Sequence, residues 1–450
     1  KNVGYFFSLL LLVCAGFYTT VAYAQEGVVT ELPTIESGEL LSLQRALELA
    51  DLQNLTLAQS RAEITVAQGR LKSSWGGLLP DIYGQMNYVY NDHATTSLMG
   101  GVVTVTRTQQ DLNANLSVSL PIISARQWVG VAASRTAVDL SKMNTEQVRQ
   151  EMLFTVASAY FQALSTRSLI EIYRSQLQAI ERHLKVATFR HRSGIGSRLA
   201  VTRSQSDWVS THEHLIQAHY GLEAARDILK TLIRLKSLPT PEPKTRICDL
   251  QDMNEAGMLQ NARTHRNDLK LAEINCQLAE QQHLVNYMQF VPTVSASWQL
   301  GYQISDPAAS QATSDRSRWF AGLMLSLPLF DYNFYGNLKE SRAAKESAQL
   351  KKKMAYDNAG LAVRQASRTY SETLDLIETS KRKSDIAQQS ERLAETYYEN
   401  GTGSSLGVVD ARRINQSAQV DLIIKQLQAQ LAKLDLLRAT GVDIREAVGR

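Results

Sequence analysis

The stretch "ENGTGSSLGVVDARR", residues 399–413, sets Gly401, Gly403 and Gly407 in a G-x-G-x-x-x-G pattern. Glycines so spaced can bring backbone N–H groups up to a phosphate, but a nucleotide site needs a strand before them. The residues ahead of Gly401, "QQSERLAETYYEN", are charged and helical in character, and no Lys follows in the Walker pattern. The context argues against a nucleotide. "HEHLIQAH", residues 212–219, has a metal-like look, yet the H-E-x-x-H spacing of a zinc protease is missing. Only His212 and His219 share a helix face, and acidic ligands at helical spacing are absent nearby. No Ser-His-Asp or Cys-His arrangement is legible, and the carboxylates of Asp249 and Asp252 lack any cleft signal. The chain reads as a non-enzyme, without cofactor or metal.

A second loop, "RSGIGSRLAVTRS" at residues 192–204, explains the first. Gly194 and Gly401 are 207 residues apart, as are Gly196 and Gly403, Ser197 and Ser404, Leu199 and Leu406, and Val201 and Val408. Pro121 and Pro328 keep the same offset. One offset held over more than seventy residues marks an internal duplication. We divide the chain into a first repeat at 25–236, a proline-rich linker at 237–252 and a second repeat at 253–450. Three prolines in "PTPEP" cannot continue a helix. The glycine loops then read as helical turns. Gly194 and Gly401 supply the left-handed residue that ends a helix. Ser197 and Ser404 cap the helix that follows.

Each repeat begins with an amphipathic helix, near 41–77 and near 252–290. Two alternating segments around a polar loop come next, closed by a proline. Leu112, Ala114, Leu116, Val118 and Leu120 alternate with Asn113, Asn115, Ser117 and Ser119. Val294, Ala296, Trp298, Leu300 and Tyr302 alternate with Ser295, Ser297 and Gln299. Residues 81–90 and 318–327 are weaker versions. A period of two puts one set on each face of a sheet. Strands of roughly ten residues, apolar on one face, fit a transmembrane β-barrel, with the even-numbered set toward lipid. A soluble sheet with one wet face is the alternative. Aromatics near the strand ends (Tyr83, Tyr90, Trp298, Trp319, Phe330 and Tyr332) fit an interfacial girdle. Bacterial barrels start at about eight strands, so four per chain requires several chains.

Long helical stretches follow, from about 125 to 190 and from about 336 to 399. Ile170, Tyr173, Leu177, Ile180, Leu184 and Ala187 recur at steps of 3 and 4, as do Val420, Ile424, Leu427, Leu431 and Leu434. That is the coiled-coil period. The glycine loops are thus tips of two coiled-coil hairpins. At the N-terminus, "FFSLLLLVCAGF" followed by "AYA" reads as a signal peptide over residues 1–24. Val13 ahead of Cys14 is not the small residue that a lipoprotein signal wants. Cys248 and Cys276 remain, paired or free. Net charge is +4, from 48 basic and 44 acidic residues, with no basic block, so no nucleic-acid footprint is present.

The chain resembles the TolC-like outer-membrane efflux proteins over nearly its whole length after the signal. The doubled layout carries the resemblance, together with "LLP" ahead of a strand, the closing proline and the tip "YENGTGSSLGVVDA". That tip resembles the family's Y-x-x-G-T-x-x-x-x-D-V-x-D-A. The resemblance implies a membrane α+β fold. A homotrimer would form a 12-stranded barrel in the outer membrane, four strands per chain, continued by a 12-helix α-barrel across the periplasm. The lipid-facing residues would be Leu112, Leu116, Val118, Val294, Trp298, Leu300 and Tyr302. The tips would dock a periplasmic adaptor (membrane fusion protein) tied to a proton-driven or ATP-driven inner-membrane pump. The docking residues would be Gly194, Ile195, Gly196, Ser197, Arg198 and Leu199, with Gly401, Thr402, Gly403, Ser404, Ser405 and Leu406. The family's gate tyrosine and second aspartate fall on Tyr398 and Asp410; its first aspartate falls on Gly407, its arginine on Gly403 and its first-repeat acid on Ala200. The family's links between tips are therefore largely missing, with Arg198 and Arg203 as candidate replacements. The expected function is a passive exit duct for small toxic compounds. A duct for type I protein secretion, or a coiled-coil scaffold or adhesin that transports nothing, is the alternative.

Overall fold

The computed structural model describes residues 40–99, 102–107, 109–236, 240–242, 254–304 and 317–448. The expected signal segment, most of the linker, and Cys248, Asp249 and Asp252 lie outside them. In chain order the first half contains β1 (Leu40–Leu41), α1 (Leu43–Gln53), α2 (Leu55–Gly76), β2 (Asp81–Tyr90), β3 (Thr95–Met99), β4 (Val102–Arg107) and β5 (Gln110–Ile123). The helices α3 (Ala125–Arg192) and α4 (Arg198–Ile233) follow, then β6 (Thr240–Pro241). The second half contains α5 (Glu255–His265), α6 (Asn267–Tyr287), β7 (Thr293–Gln303), β8 (Ser317–Ser326), α7 (Tyr332–Glu399), α8 (Ser405–Thr440) and α9 (Ile444–Val448).

Helices α3 and α7 are 68 residues each, and α4 and α8 are 36 each. All four pairs of bounds differ by 207. At 1.5 Å per residue the longer pair spans about 100 Å. The first helix of each half, expected as one, is two. At Asn54 the side-chain oxygen accepts from the Thr56 and Leu57 N–H groups, which restarts the helix, and its amide donates to the Leu232 carbonyl at 2.9 Å. Arg266 sits extended between α5 and α6, and its guanidinium clamps Asp268 at 2.7 and 3.0 Å and the Ala439 carbonyl at 3.2 Å. Both breaks are fixed by side chains that reach a distant helix, which no local periodicity reports.

The four long strands form one antiparallel sheet in the order β2-β5-β7-β8. The join between the halves is β5 against β7. The loop expected to be merely polar after β2 holds the antiparallel hairpin β3–β4. Pro121 does not close its strand as expected. It lies inside β5, where the register slips between Pro121 and Ile123. Proline has no N–H for the ladder, and a bulge is where a sheet tolerates it.

An apolar knot lies where the start of α1 and the C-terminal ends of α4 and α8 pack against the middle of α3. Leu43 and Leu47 of α1, Leu153 and Tyr160 of α3, Leu229 and Ile233 of α4, and Leu434 and Leu437 of α8 pack in it. The buried Tyr160 hydroxyl lies 3.0 Å from the carbonyls of Leu41 and Glu242 and accepts from the Glu242 N–H, so it pins the short parallel pair β1–β6. Beside the knot, Arg149 of α3 bonds Asp51 at 3.0 Å, Glu146 at 2.8 Å and Asp443 at 3.2 Å, while Arg445 takes the other oxygen of Asp51 at 2.8 Å. These bonds hold the C-terminal turn against the N-terminal helix.

Helices α4 and α8 end on residues 207 apart in the left-handed region, Arg234 at φ 53° and Gly441 at φ 76°. An arginine there carries a Cβ penalty that glycine does not. Arg234→Gly is expected to stabilise the protein by about 0.5–1 kcal/mol. Gly441→Ala is expected to destabilise it by more than that, since the new Cβ would lie 2.8 Å from the Arg266 nitrogen. Denaturant midpoints of the two variants, compared with the parent, measure both.

Candidate functional site

The sheet brings the alternating residues into two-faced register. Residues opposite each other across antiparallel strands point the same way. Leu116 stands between Gly84 and Leu300, Val118 between Ile82 and Trp298, and Leu112 opposite Tyr88. Leu300 faces Trp319 on β8, and Val294 faces Leu325. On the other face, Asn113 stands between Asn87 and Gln303, and Ser117 between Tyr83 and Gln299. One face is therefore apolar across all four strands, and the other is mainly polar. Trp298 lies at the middle of β7, opposite Ala321, rather than near the strand end expected of a girdle residue. Aromatic pairs do mark the junction of sheet and helices: Trp75 with Trp128 at 6.0 Å, and Phe290 with Tyr335 at 5.7 Å.

At the far end of the hairpins, Gly194 and Gly401 adopt φ of 77° and 79°. Ser197 Oγ accepts from the Leu199 N–H, and Ser404 Oγ from the Gly407 N–H. Gly196 and Gly403 are constrained differently. A Cβ on Gly196 would lie 2.8 Å from the His191 nitrogen, and one on Gly403 2.8 Å from the Tyr398 nitrogen. Their lack of a side chain is needed by the turn itself, so a bulky residue there disrupts the tip before any partner arrives. Ile195, Leu199 and Leu406 are left as exposed apolar side chains on the tips. Arg198 and Arg203 lie on the exposed face of α4.

The two residues expected at the gate, Tyr398 and Asp410, are separated in environment. Tyr398 is buried, its ring centroid 5.0 Å from that of His183 and covered by the Arg190 guanidinium at 4.5 Å. Arg190 also donates to the Glu399 carbonyl at 2.9 Å, which ties the two hairpins. Asp410 is exposed on α8.

One group escaped the sequence reading. Arg412, 1 % exposed, reaches Glu391 at 3.1 Å and Glu395 at 2.6 Å on α7, with Asp207 of α4 at 4.0 Å. Asn415 donates to the second oxygen of Glu391. Burial pushes the Asp207 carboxyl up, and the opposing charges of Arg412 and Arg413 only partly counter it. A signal was available: Val408, Arg412, Asn415 and Gln419 recur at steps of 4, 3 and 4, so an arginine occupies a position where a coiled coil wants an apolar side chain. The seam of α3 also differs from the one expected. Ile170, Ile180 and Ala187 are buried as expected, but Gln176 and His183 are buried with them, whereas Tyr173, Leu177 and Leu184 are half-buried. Helix α3 packs against both α4 and α8 and so turns a wider face inward. Two histidines of α4 make ring contacts, His212 stacking on Trp208 at 4.8 Å and His214 on Tyr173 at 5.6 Å, and His219 Nε2 lies 3.2 Å from the Arg174 guanidinium.

Removing one partner of a buried ion cluster leaves the others charged and desolvated. Arg412→Ala is expected to destabilise the hairpins by about 3–5 kcal/mol, while Arg45→Ala, at an exposed pair with Glu48, is expected to cost under about 1 kcal/mol. Amide hydrogen exchange over 385–419 checks the first, and the global denaturation midpoint the second.

The family of outer membrane efflux proteins matches residues 46–233 and 258–442 of this chain. The pyoverdine export outer membrane protein OpmQ of Pseudomonas putida is 23% identical over 412 residues, covering 87% of this chain and 84% of that protein. The outer membrane protein TolC of Escherichia coli is 20% identical over 432 residues, covering 89% and 82%. Among solved structures, the CmeC outer membrane channel of Campylobacter jejuni has the same fold, with a TM-score of 0.78 at 17% identity over 89% of this chain and 85% of that one. A two-faced four-stranded sheet carried on paired 68-residue helices, together with a family match over most of its length, places this chain in the outer membrane efflux protein family, the TolC-like exit ducts of the outer membrane.

Proposed function

We propose that three copies of this chain close a twelve-stranded barrel in the outer membrane and continue it as a twelve-helix tube into the periplasm, forming the exit duct of a tripartite efflux pump for small toxic compounds. The observation that carries this reading is a sheet with one apolar and one mainly polar face, open at β2 and β8, from which two helices of about 100 Å run on. In hydrocarbon every backbone N–H and C=O needs a partner, so the open edges call for a neighbouring chain. The number three is what the family resemblance implies. Leu112, Leu116, Val118, Val294, Trp298, Leu300 and Tyr302 then meet lipid, and Ser117 and Gln299 line the lumen. The duct itself has no catalytic step. Its contribution is a polar, water-filled path, while an inner-membrane pump and a periplasmic adaptor supply direction and energy. The repeat bounds 25–236 and 253–450 place one hairpin tip in each repeat, so a trimer offers the adaptor six tips.

Mass measurement of the detergent-solubilised protein is expected to give a trimer, and planar bilayers are expected to show discrete ion-conducting steps. A monomer without conductance would leave a scaffold or adhesin as the function. Leu116→Arg is expected to cost about 2–4 kcal/mol in assembly if it lies near mid-bilayer, whereas Ser117→Arg should assemble and shift ion selectivity.

Docking of the adaptor uses the exposed apolar side chains of the tips, Ile195, Leu199 and Leu406, on turns that Gly194, Gly196, Ser197, Gly401, Gly403 and Ser404 hold in shape. Arg198, Thr402 and Ser405 complete the docking surface. Asp410, on the exposed face of α8, rings the axis of a trimer as three carboxylates with Tyr398 behind it. Ile195→Asp combined with Leu406→Asp is expected to abolish export in cells while trimers remain in the membrane. Full export by that double variant would place adaptor docking away from the tips.

A further inference from the structure

The hairpin α3–α4 meets the hairpin α7–α8 along a polar seam near the tips. His183 of α3 is 7 % exposed and sits in this seam. The groups that act on it directly are Arg190 of α3, Glu395 and Tyr398 of α7, and Arg412 of α8; Arg412 in turn reaches Glu391 of α7 and Asp207 of α4, with Arg413 of α8 acting on Asp207. His183 Nε2 is buried without a hydrogen-bond partner among the described residues, as are Asp207 Oδ2, Arg412 Nη1 and Asn415 Oδ1. The nearby glutamates are already taken by Arg412, through Nε to Glu391 and Nη2 to Glu395. A protonated imidazole would therefore be buried beside two guanidinium groups, while Glu395, the carboxylate that attracts it, is already bonded through Oε1 to Arg412.

We propose that His183 makes this junction acid-sensitive: when its imidazole takes a proton, the tip end of α7–α8 separates from α3–α4. The inference rests on the exit-duct reading only for what the tips do; the separation itself is a property of the chain.

Burial, then the charges of Arg412 and Arg190, hold the His183 imidazole down at about 4 against the pull of Glu395, from an ordinary value of 6.5. A histidine that opens to solvent regains its ordinary basicity. The closed junction thus binds fewer protons than the open one, and its stability is full above about 6.5 and falls as pH drops toward 4. Asp207 acts in the opposite sense. Its carboxyl is raised by burial, so acid favours the closed form through that group. The two contributions separate on substitution: without His183 the opening response of the imidazole is lost, while the closing response of Asp207 remains.

The test is amide hydrogen exchange of the full-length protein in detergent at pH 7.5 and pH 4.5, comparing the parent with His183→Gln at each pH so that intrinsic exchange cancels. Residues 176–190 and 391–419 of the parent are expected to exchange on the order of tenfold faster than in His183→Gln at pH 4.5 and alike at pH 7.5, with β5 and β7 unchanged. Equal exchange at both pH values, or the same difference at both, overturns the proposal. His183→Phe keeps a ring beside Tyr398 and serves as the comparator if the glutamine variant fails to assemble. Conductance in planar bilayers is a separate readout. A pore that ignores acid contradicts this inference alone, and the absence of any pore contradicts the exit-duct reading while exchange still decides the switch.

Discussion

Within the described residues, the outer edges of β2 and β8 are not paired by any strand of this chain. In water such edges would be solvated; in lipid they cannot be left open. This constraint orders the rest of the molecule. In the assembly proposed above, a neighbour on each side closes the sheet into a wall and gives its apolar face an outside. Several surfaces exposed in a single chain, such as Ile82, Trp319, Leu323 and Leu325, then have a reason. Soluble monomers rarely leave a contiguous apolar face of four strands exposed.

Cohesion is distributed unevenly along the helices. The knot around Leu153, Tyr160, Leu229 and Leu434 is dry and apolar, and it gathers the N-terminal helix, the short β1–β6 pair and the C-terminal turn. Toward the tips the seam between hairpins becomes polar, with Gln176 bonded to Gln419 and the ions grouped about Arg412. Buried ions repay their desolvation poorly, so this end is held with less surplus than the knot. Along α3 the apolar anchor lies midway, at 153–160, and the less firmly held seam lies toward the tip.

The two repeats share backbone far more closely than side-chain chemistry. Helix bounds and turn geometry recur at an offset of 207, yet the residues 207 before Arg412, Glu391 and Glu395 are Gln205, Leu184 and Thr188. The charge cluster therefore has no counterpart in the first repeat. It lies between repeats, with Asp207 from one and Arg412 from the other. The left-handed helix ends show the same divergence: Gly441 approaches Arg266 too closely for a side chain, whereas the equivalent position in the first repeat is Arg234, which carries one.

Features that depend on near neighbours in the chain were determined by sequence alone. The strands follow from alternation at 112–120 and 294–302, because a pleated backbone imposes a period of two whatever surrounds it. The tips follow from Gly194 and Gly401, because only glycine takes a left-handed φ without a steric penalty, and from Ser197 and Ser404, because a helix start needs an acceptor. The offset of 207 follows from self-comparison. What the tertiary structure decided depends on partners far away in the chain. The breaks at Asn54 and Arg266 exist because their side chains reach Leu232 and Ala439. The bulge at Pro121 depends on register against β7. The burial of Arg412 and His183 arises because four helices from two repeats converge there, and a one-dimensional pattern shows the position of a side chain on its own helix but not the charges that three other helices bring against it.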